Sequence, residues 1–400
     1  MSKLKNLPLL FLTLFILTVF FILIKNNSLY DDEPGNYTQI EIFLDKKWEI
    51  YEGYPQFPGY PFILANIALT LNQTSVPSLR TINFVFSLLS VFIFYLVAHR
   101  INPSTSAIKT LQFSFLPILF PFRFLLYSEN LSNLLVLSSL FLVMNKKIFM
   151  AAVLSLVSVS VRQTNVIWFI FIYFYGFLQS GNMTLNLRKL FDYTVKNIIF
   201  PLGVASFVAV IIFNKGIAMG NQSYFHPSFT LNMGNVYWLL FLFCLLFIVH
   251  IAGSLQSIIL LLYEKRILTP MLVFILICSL TFQNNHPWNQ NPEHLRNRAL
   301  LFFSSGLTNK IMFFVITSLS LIYISLTRLA DGKFYPLYPF TVFALVPIWL
   351  IESRYAIIPL ILFILFREIS DRRLEWLTVI YFVLVSMYFF YGYLNQGFYL

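Results

Sequence analysis

Three carboxylates stand side by side at Asp31-Asp32-Glu33, just ahead of Pro34, in a 400-residue chain with only 16 acidic residues. Crowded carboxylates repel one another, and one held at a low-dielectric boundary can take a proton from a hydroxyl attacking an electrophile. The competing reading is a solvated helix cap before the proline. A second group, Arg162-Gln163-Thr164-Asn165, lies between the apolar runs 148–161 and 165–178. A guanidinium close to a membrane core is costly and usually paired, and it suits phosphate through two parallel hydrogen bonds. Its bland alternative is interfacial anchoring. Further polar groups are Glu129 in Ser128-Glu129-Asn130, and His226 with Asn221, Gln222 and Ser223 in the loop 214–230. The loop 283–298 reads QNNHPWNQNPEHLRNR, with His286, Glu293, His294, Arg296 and Arg298, and Glu352-Ser353-Arg354 interrupts a late apolar run. His286 and His294 do not have the one-turn spacing of a helical metal site. Amide, aromatic and basic side chains together suit a sugar and a phosphate better.

The elements that carry these groups must lie in lipid. Hydrophobic residues make up 58% of the chain and charged ones 11%, with 46 Phe and 22 Tyr. Soluble domains carry roughly a quarter charged residues. A chain so apolar does not stay an expanded coil in water, and its apolar stretches are continuous rather than alternating, which excludes an outer-membrane barrel. Cys244 and Cys278, both in apolar runs, exclude a disulfide framework. The net charge of +11 reflects basic anchors on one membrane side, and no nucleic-acid face is present.

Apolar runs near 20 residues can cross the hydrocarbon. The first, Leu7–Ile24, follows Lys3 and Lys5 and is expected to be a retained helix with a cytosolic N-terminus, so that 25–60 forms the first lumenal loop. With 61–72 taken as a surface helix, the basic residues at His99-Arg100, Lys109, Lys146-Lys147, Arg188, Lys189, Lys196 and Arg367–Arg373 fall on the cytosolic side. Asp31–Glu33, Glu129, Arg162 and His226 then share the lumenal side. Further spans are expected at 79–98, 111–127, 131–144, 231–262, 268–282, 311–327, 335–351, 355–366 and 376–394. The total is about 13, within a range of about 11–14. The expectation is an all-α polytopic transmembrane helix bundle, a single integral membrane domain over residues 1–400. Asn-x-Ser/Thr sites occur at Asn26, Asn36, Asn72, Asn130, Asn182 and Asn221, with Asn182 alone on the cytosolic side.

No Walker loop, GxGxxG, GxSxG or HExxH motif is present. What remains is a membrane enzyme with lipid-borne substrates, or a transporter or scramblase, and composition does not separate them.

Order and spacing of motifs do. Asp32-Glu33 with Gln39, then Pro58-Gly59, Leu79-Arg80-Thr-Ile-Asn83 and Arg162-Gln163-Thr164-Asn165-Val-Ile167-Trp168 follow in sequence, then Asn214-Lys-Gly216-Ile217-Ala-Met-Gly220 and Glu352-Ser-Arg354-Tyr355 with Pro359. In this the chain resembles the dolichyl-phosphate-glucose α-1,2-glucosyltransferases of the endoplasmic reticulum, the terminal glucosyltransferases of lipid-linked oligosaccharide assembly. It departs from their pattern at Tyr51–Gln56, at Asn221-Gln222 and in 283–298. The resemblance implies a multi-span glycosyltransferase of the GT-C type in the endoplasmic reticulum membrane, with a lumenal active site and no cofactor. The donor would be dolichyl phosphate glucose and the acceptor the diglucosylated dolichyl-diphosphate oligosaccharide. It implies Asp32 as base, with Glu33 positioning the acceptor or the base. Arg162, Gln163, Asn165, His226, His286 and Arg354 would hold donor phosphate or sugar, and Glu129, Arg80 and Glu352 would serve the acceptor or support the site. A related enzyme using another sugar or acceptor is the nearest alternative.

Overall fold

A computed structural model describes residues 7–181, 186–227, 230–263 and 267–398. Lys3, Lys5 and the sequon at Asn182 lie outside the described residues. Among the described residues the chain is all-helical, without strands and with one isolated bridge, Leu329 to Arg367. Contacts divide it into two compact units: residues 1–114, 119–228 and 331–344, and residues 115–118, 229–330 and 345–400.

In the first unit, the helix Val76–Ile101 packs on Glu129–Met144, which pairs in turn with Ile148–Val161 and Asn165–Gln179. Val76–Ile101 begins cleanly because the Ser75 hydroxyl accepts from the Ser78 N–H and Pro77 fits its first turn, and it ends on His99 and Arg100. Arg80 and Arg100 mark its two polar ends. The helical rise between them is about 30 Å, one hydrocarbon thickness. Outward-facing Phe11, Phe15 and Ile22 on Leu7–Ile24 are more than half exposed, as a lipid-facing surface requires. The molecule is a membrane helical bundle.

Three helices among the described residues are long and apolar enough to cross a membrane alone: Val76–Ile101, Leu307–Leu326 and Arg372–Leu394. A bent pair makes a fourth candidate, and eight more apolar helices have 10–17 residues, so most of the expected spans are short or broken. The run 111–127 is not one continuous helix. Its helix, Ser106–Ser114, stops ahead of Pro117 and Pro121, whose missing N–H groups interrupt the ladder. The buried Arg123 closes the helix end, donating to the Ser114 and Phe113 carbonyls at 3.0 and 2.6 Å and to the Ser87 hydroxyl at 3.1 Å. The run 231–262 resolves into Gly234–Leu246, Ile248–Gly253 and Leu255–Tyr263, and 335–351 holds only the helix Leu337–Leu345. The expected surface helix 61–72 is Gly59–Leu71, too short to span.

In the second unit, Gly234–Leu246 and Leu268–Thr281 both pack on Leu307–Leu326. The core there is aromatic, with Tyr237, Phe282, Phe313 and Phe314 in one edge-to-face cluster. Arg367 and Glu375 form a buried bidentate pair at 2.5 and 2.6 Å, with the Phe247 ring 5.3 Å from the guanidinium carbon.

Two glycines bring loops of the first unit together. A Cβ on Gly59 would meet the Ser160 carbonyl oxygen at 2.4 Å, and one on Gly220 (φ +58°) would meet the Glu52 oxygen at 2.5 Å. Gly59→Ala must therefore separate the start of Gly59–Leu71 from the end of Ile148–Val161. A loss of about 1–3 kcal/mol is expected, read as a lower melting temperature of the detergent-solubilised protein against Gly35→Ala, which meets nothing within 4 Å.

Candidate functional site

The acidic turn follows the first helix directly. Asp31 has φ +59°, a left-handed conformation that Asp adopts more readily than most residues, and this turns the chain into the helix Glu33–Leu44. The three carboxylates then part company. Glu33 is fully buried. Its Oε1 accepts from Arg80 Nε at 2.9 Å and the Leu126 N–H at 2.8 Å, and its Oε2 from Arg80 Nη2 at 2.5 Å and the Tyr30 N–H at 3.1 Å. Asp32, at the N-cap position, is exposed and makes no side-chain capping bond, while its N–H donates to the Tyr127 hydroxyl at 2.9 Å. A carboxylate at a helix start usually caps it. Here it points elsewhere.

Arg80 organises this end of the unit. Beyond Glu33 it donates to the carbonyls of Lys25, Asn27 and Ser28 at 3.2, 2.6 and 3.1 Å, tying the close of the first helix to the acidic turn. The segment 125–127 is stitched on by Asn36 Nδ2 to the Leu126 carbonyl at 2.9 Å and by Asn83 Nδ2 to that of Leu125. Ile40, Tyr60, Leu64, Leu79, Leu126 and Val161 form the apolar floor beneath. Asn36 and Asn130 thus spend their amide nitrogens inside the fold, Asn130 on the carbonyls of Phe122 and Arg123.

Arg162 ends Ile148–Val161 and bonds through Nη1 to Glu129 Oε1, both side chains being buried. Tyr54 lies in the same neighbourhood. Burial pushes its phenol far up, Arg162 pulling it down and Glu129 adding to the rise, so it is a neutral hydroxyl. Gln163 Nε2 donates to the Pro55 carbonyl at 2.8 Å and its Oε1 accepts from the Phe57 N–H at 3.2 Å. Asn165 Nδ2 donates to Ser132 Oγ at 2.8 Å and the Ser158 carbonyl at 2.9 Å. These bonds commit the amide nitrogens of Gln163 and Asn165 to the fold, Asn165 being fully buried. Glu33, implied to position the acceptor or the base, is itself held by Arg80 and by the Leu126 and Tyr30 N–H groups. Gln39 closes its loop in the same way, on the Tyr51 N–H at 2.7 Å and the Glu49 carbonyl at 2.9 Å.

The stretch 214–222 packs on 52–55 through Met219 N–H to the Pro55 carbonyl at 3.0 Å and Asn221 N–H to that of Glu52 at 2.8 Å. Asn214 Nδ2 holds the turn on the Gly216 and Ala218 carbonyls. His226, half-buried, follows on this stretch.

The second unit has its own polar cluster. Glu352 Oε1 bonds to Arg354 Nε and lies 3.4 Å from Arg296 Nη1, so two guanidinium groups share one carboxylate. Arg296 Nε also donates to Asn297 Oδ1 at 3.1 Å. His286 is buried; its Nδ1 accepts from the Trp288 N–H at 3.2 Å and its ring meets Trp349 edge-on at 4.6 Å. Asn235 and Asn289 pin the backbone of 348–352 from either side. Tyr127, Asn235 and Asn289 were not singled out by sequence reasoning, and Arg296 was named only as one of the loop's basic residues. The crowding of Asn in 283–298 was the one available signal, and Tyr127 had none. Among the described residues no three His, Cys, Asp or Glu side chains gather as a metal ion requires.

Fold and polar ends together define a multi-span helical membrane protein whose polar groups concentrate at the helix ends. A model of the DIE2/ALG10 family matches residues 39–187. This is the α-1,2-glucosyltransferase family that the motifs resemble, and the resemblance is borne out over that stretch, which holds Gln39, Arg80, Glu129 and the Arg162–Asn165 block. No curated protein and no solved structure matches the chain.

Proposed function

We propose that the chain is an inverting glucosyltransferase of lipid-linked oligosaccharide assembly at the lumenal face of the endoplasmic reticulum membrane. It moves glucose from dolichyl phosphate glucose, in α-1,2 linkage, onto the diglucosylated dolichyl-diphosphate oligosaccharide. The acceptor hydroxyl oxygen attacks the anomeric carbon of the β-linked donor, the bond to the phosphate oxygen breaks with inversion, and dolichyl phosphate leaves. The acceptor proton passes to the Asp32 carboxylate. The observation that carries this reading is the exposed Asp32 side chain at a helix start it does not cap, next in the chain to the buried Glu33–Arg80 pair and just ahead of the family-matched stretch. Two arginines around Glu352 give the second unit a net positive group suited to a phosphate. In the first unit, Arg162, held by Glu129, is the candidate for the donor phosphate. Phosphate leaves readily, so the reaction demands no metal.

The test is the lipid-linked oligosaccharide that accumulates in a cell lacking the protein. A species with two glucoses, completed on re-expression, supports the proposal. A shorter species moves the enzyme to another step. Substrate flux in proteoliposomes with no new glycosidic bond overturns it in favour of a transporter. Arg162→Ala is expected to raise the KM for the lipid donor and lower kcat, measured as initial rates in microsomes. Unchanged values would remove Arg162 from the site.

A further inference from the structure

The helix Leu187–Lys196 has three unlike sides, at about 100° of rotation per residue. Leu190, Tyr193 and Thr194 form the seated side. The Tyr173 and Thr194 hydroxyls are 2.5 Å apart, the Tyr193 ring packs on Tyr173 and Phe177, and a Cβ at Gly176 would fall 2.4 Å from the Tyr193 oxygen. Leu187, Phe191 and Val195, four residues apart, form the second side and are 77%, 68% and 57% exposed. The third side carries Arg188, Lys189, Asp192 and Lys196, all exposed. After a two-residue break the chain enters the apolar helix Ile199–Phe213 at a bend of 79°. The exposed stripe runs on through Ile198 to Leu202 and the other outward side chains of that helix.

We propose that Leu187–Lys196 lies in the plane of the membrane–water interface, with Leu187, Phe191 and Val195 in the acyl boundary and Arg188, Lys189 and Lys196 on anionic phospholipid headgroups. The bend carries the argument. With Ile199–Phe213 entering the bilayer, a helix at nearly a right angle to it runs along the surface. The apolar stripe then continues the lipid-facing surface of its neighbour without a gap. Three basic residues against one acidic residue, beside that stripe, give the charge that anionic headgroups complement. A span of the same length would drag all four charges into hydrocarbon.

The full chain carrying Val195→Cys, labelled with an environment-sensitive dye, tests this in lipid nanodiscs, Cys244 and Cys278 being buried. The dye should be quenched by lipids brominated near the headgroup end of the acyl chain, and shielded from aqueous iodide. Iodide quenching without bromolipid quenching overturns the in-plane placement, and Phe191→Cys gives an independent second site. Phosphatidylserine retained from mixed phosphatidylserine–phosphatidylcholine discs should fall about fivefold for each of Arg188→Gln, Lys189→Gln and Lys196→Gln. Unchanged retention in the triple variant overturns the headgroup contact.

Discussion

Asp32→Asn is expected to abolish glucosyl transfer in microsomes while the protein accumulates and melts as the parent does. The side chain is exposed and makes no capping bond, and the amide keeps its size, so the substitution leaves the buried packing intact. Losing a positioned base costs about 10²–10⁴ in rate. The informative comparison is Glu33→Gln, one residue away. That variant weakens a buried pair and should fail by losing folded protein, whereas Asp32→Asn should fail by losing turnover alone. Full activity in a well-folded Asp32→Asn protein would discard the base assignment.

Arg80→Met should have the largest effect on the fold. It strands the Glu33 carboxylate in a site with no exposure and releases the carbonyls of Lys25, Asn27 and Ser28. Breaking a buried pair from one side costs about 3–5 kcal/mol. The double variant Glu33→Gln with Arg80→Met removes the stranded charge, while the Gln oxygen still accepts from one of the two N–H groups, Leu126 or Tyr30, that the carboxylate served. It should lose clearly less than the two single losses combined, read from melting in detergent and recovery after extraction. Additive losses would mean that the pair is not a coupled unit.

What could be read beforehand divides along physical lines. Apolar runs ending at charges located Leu7–Ile24 and Ile148–Val161 residue for residue, because lipid tolerates no unpaired backbone and helix ends fall where polarity begins. The run 111–127 looked equally apolar, yet two prolines and a buried Arg123 make it irregular. Hydropathy measures solvent preference and carries no information on where a hydrogen-bond ladder breaks. The same limit applied to the motifs. Arg162, Gln163 and Asn165 were visible as a group, but whether a polar side chain faces a substrate or its own backbone depends on partners far along the chain. Pro55 and Phe57 for Gln163, and Ser132 for Asn165, carried no mark in the sequence. Asp32 and Glu33 are neighbours of like chemistry, and only the position of Arg80 separates them.

The Glu33–Arg80 pair also orders events in time. A chain made from its N-terminus exposes the acidic turn well before Arg80 is synthesised, 47 positions later. Until the helix Val76–Ile101 has been inserted, Glu33 has no counter-charge and the turn no anchor. The acidic turn is thus completed only once a later helix is in place, and a nascent chain that ends before Val76–Ile101 carries that turn without the pair that anchors it.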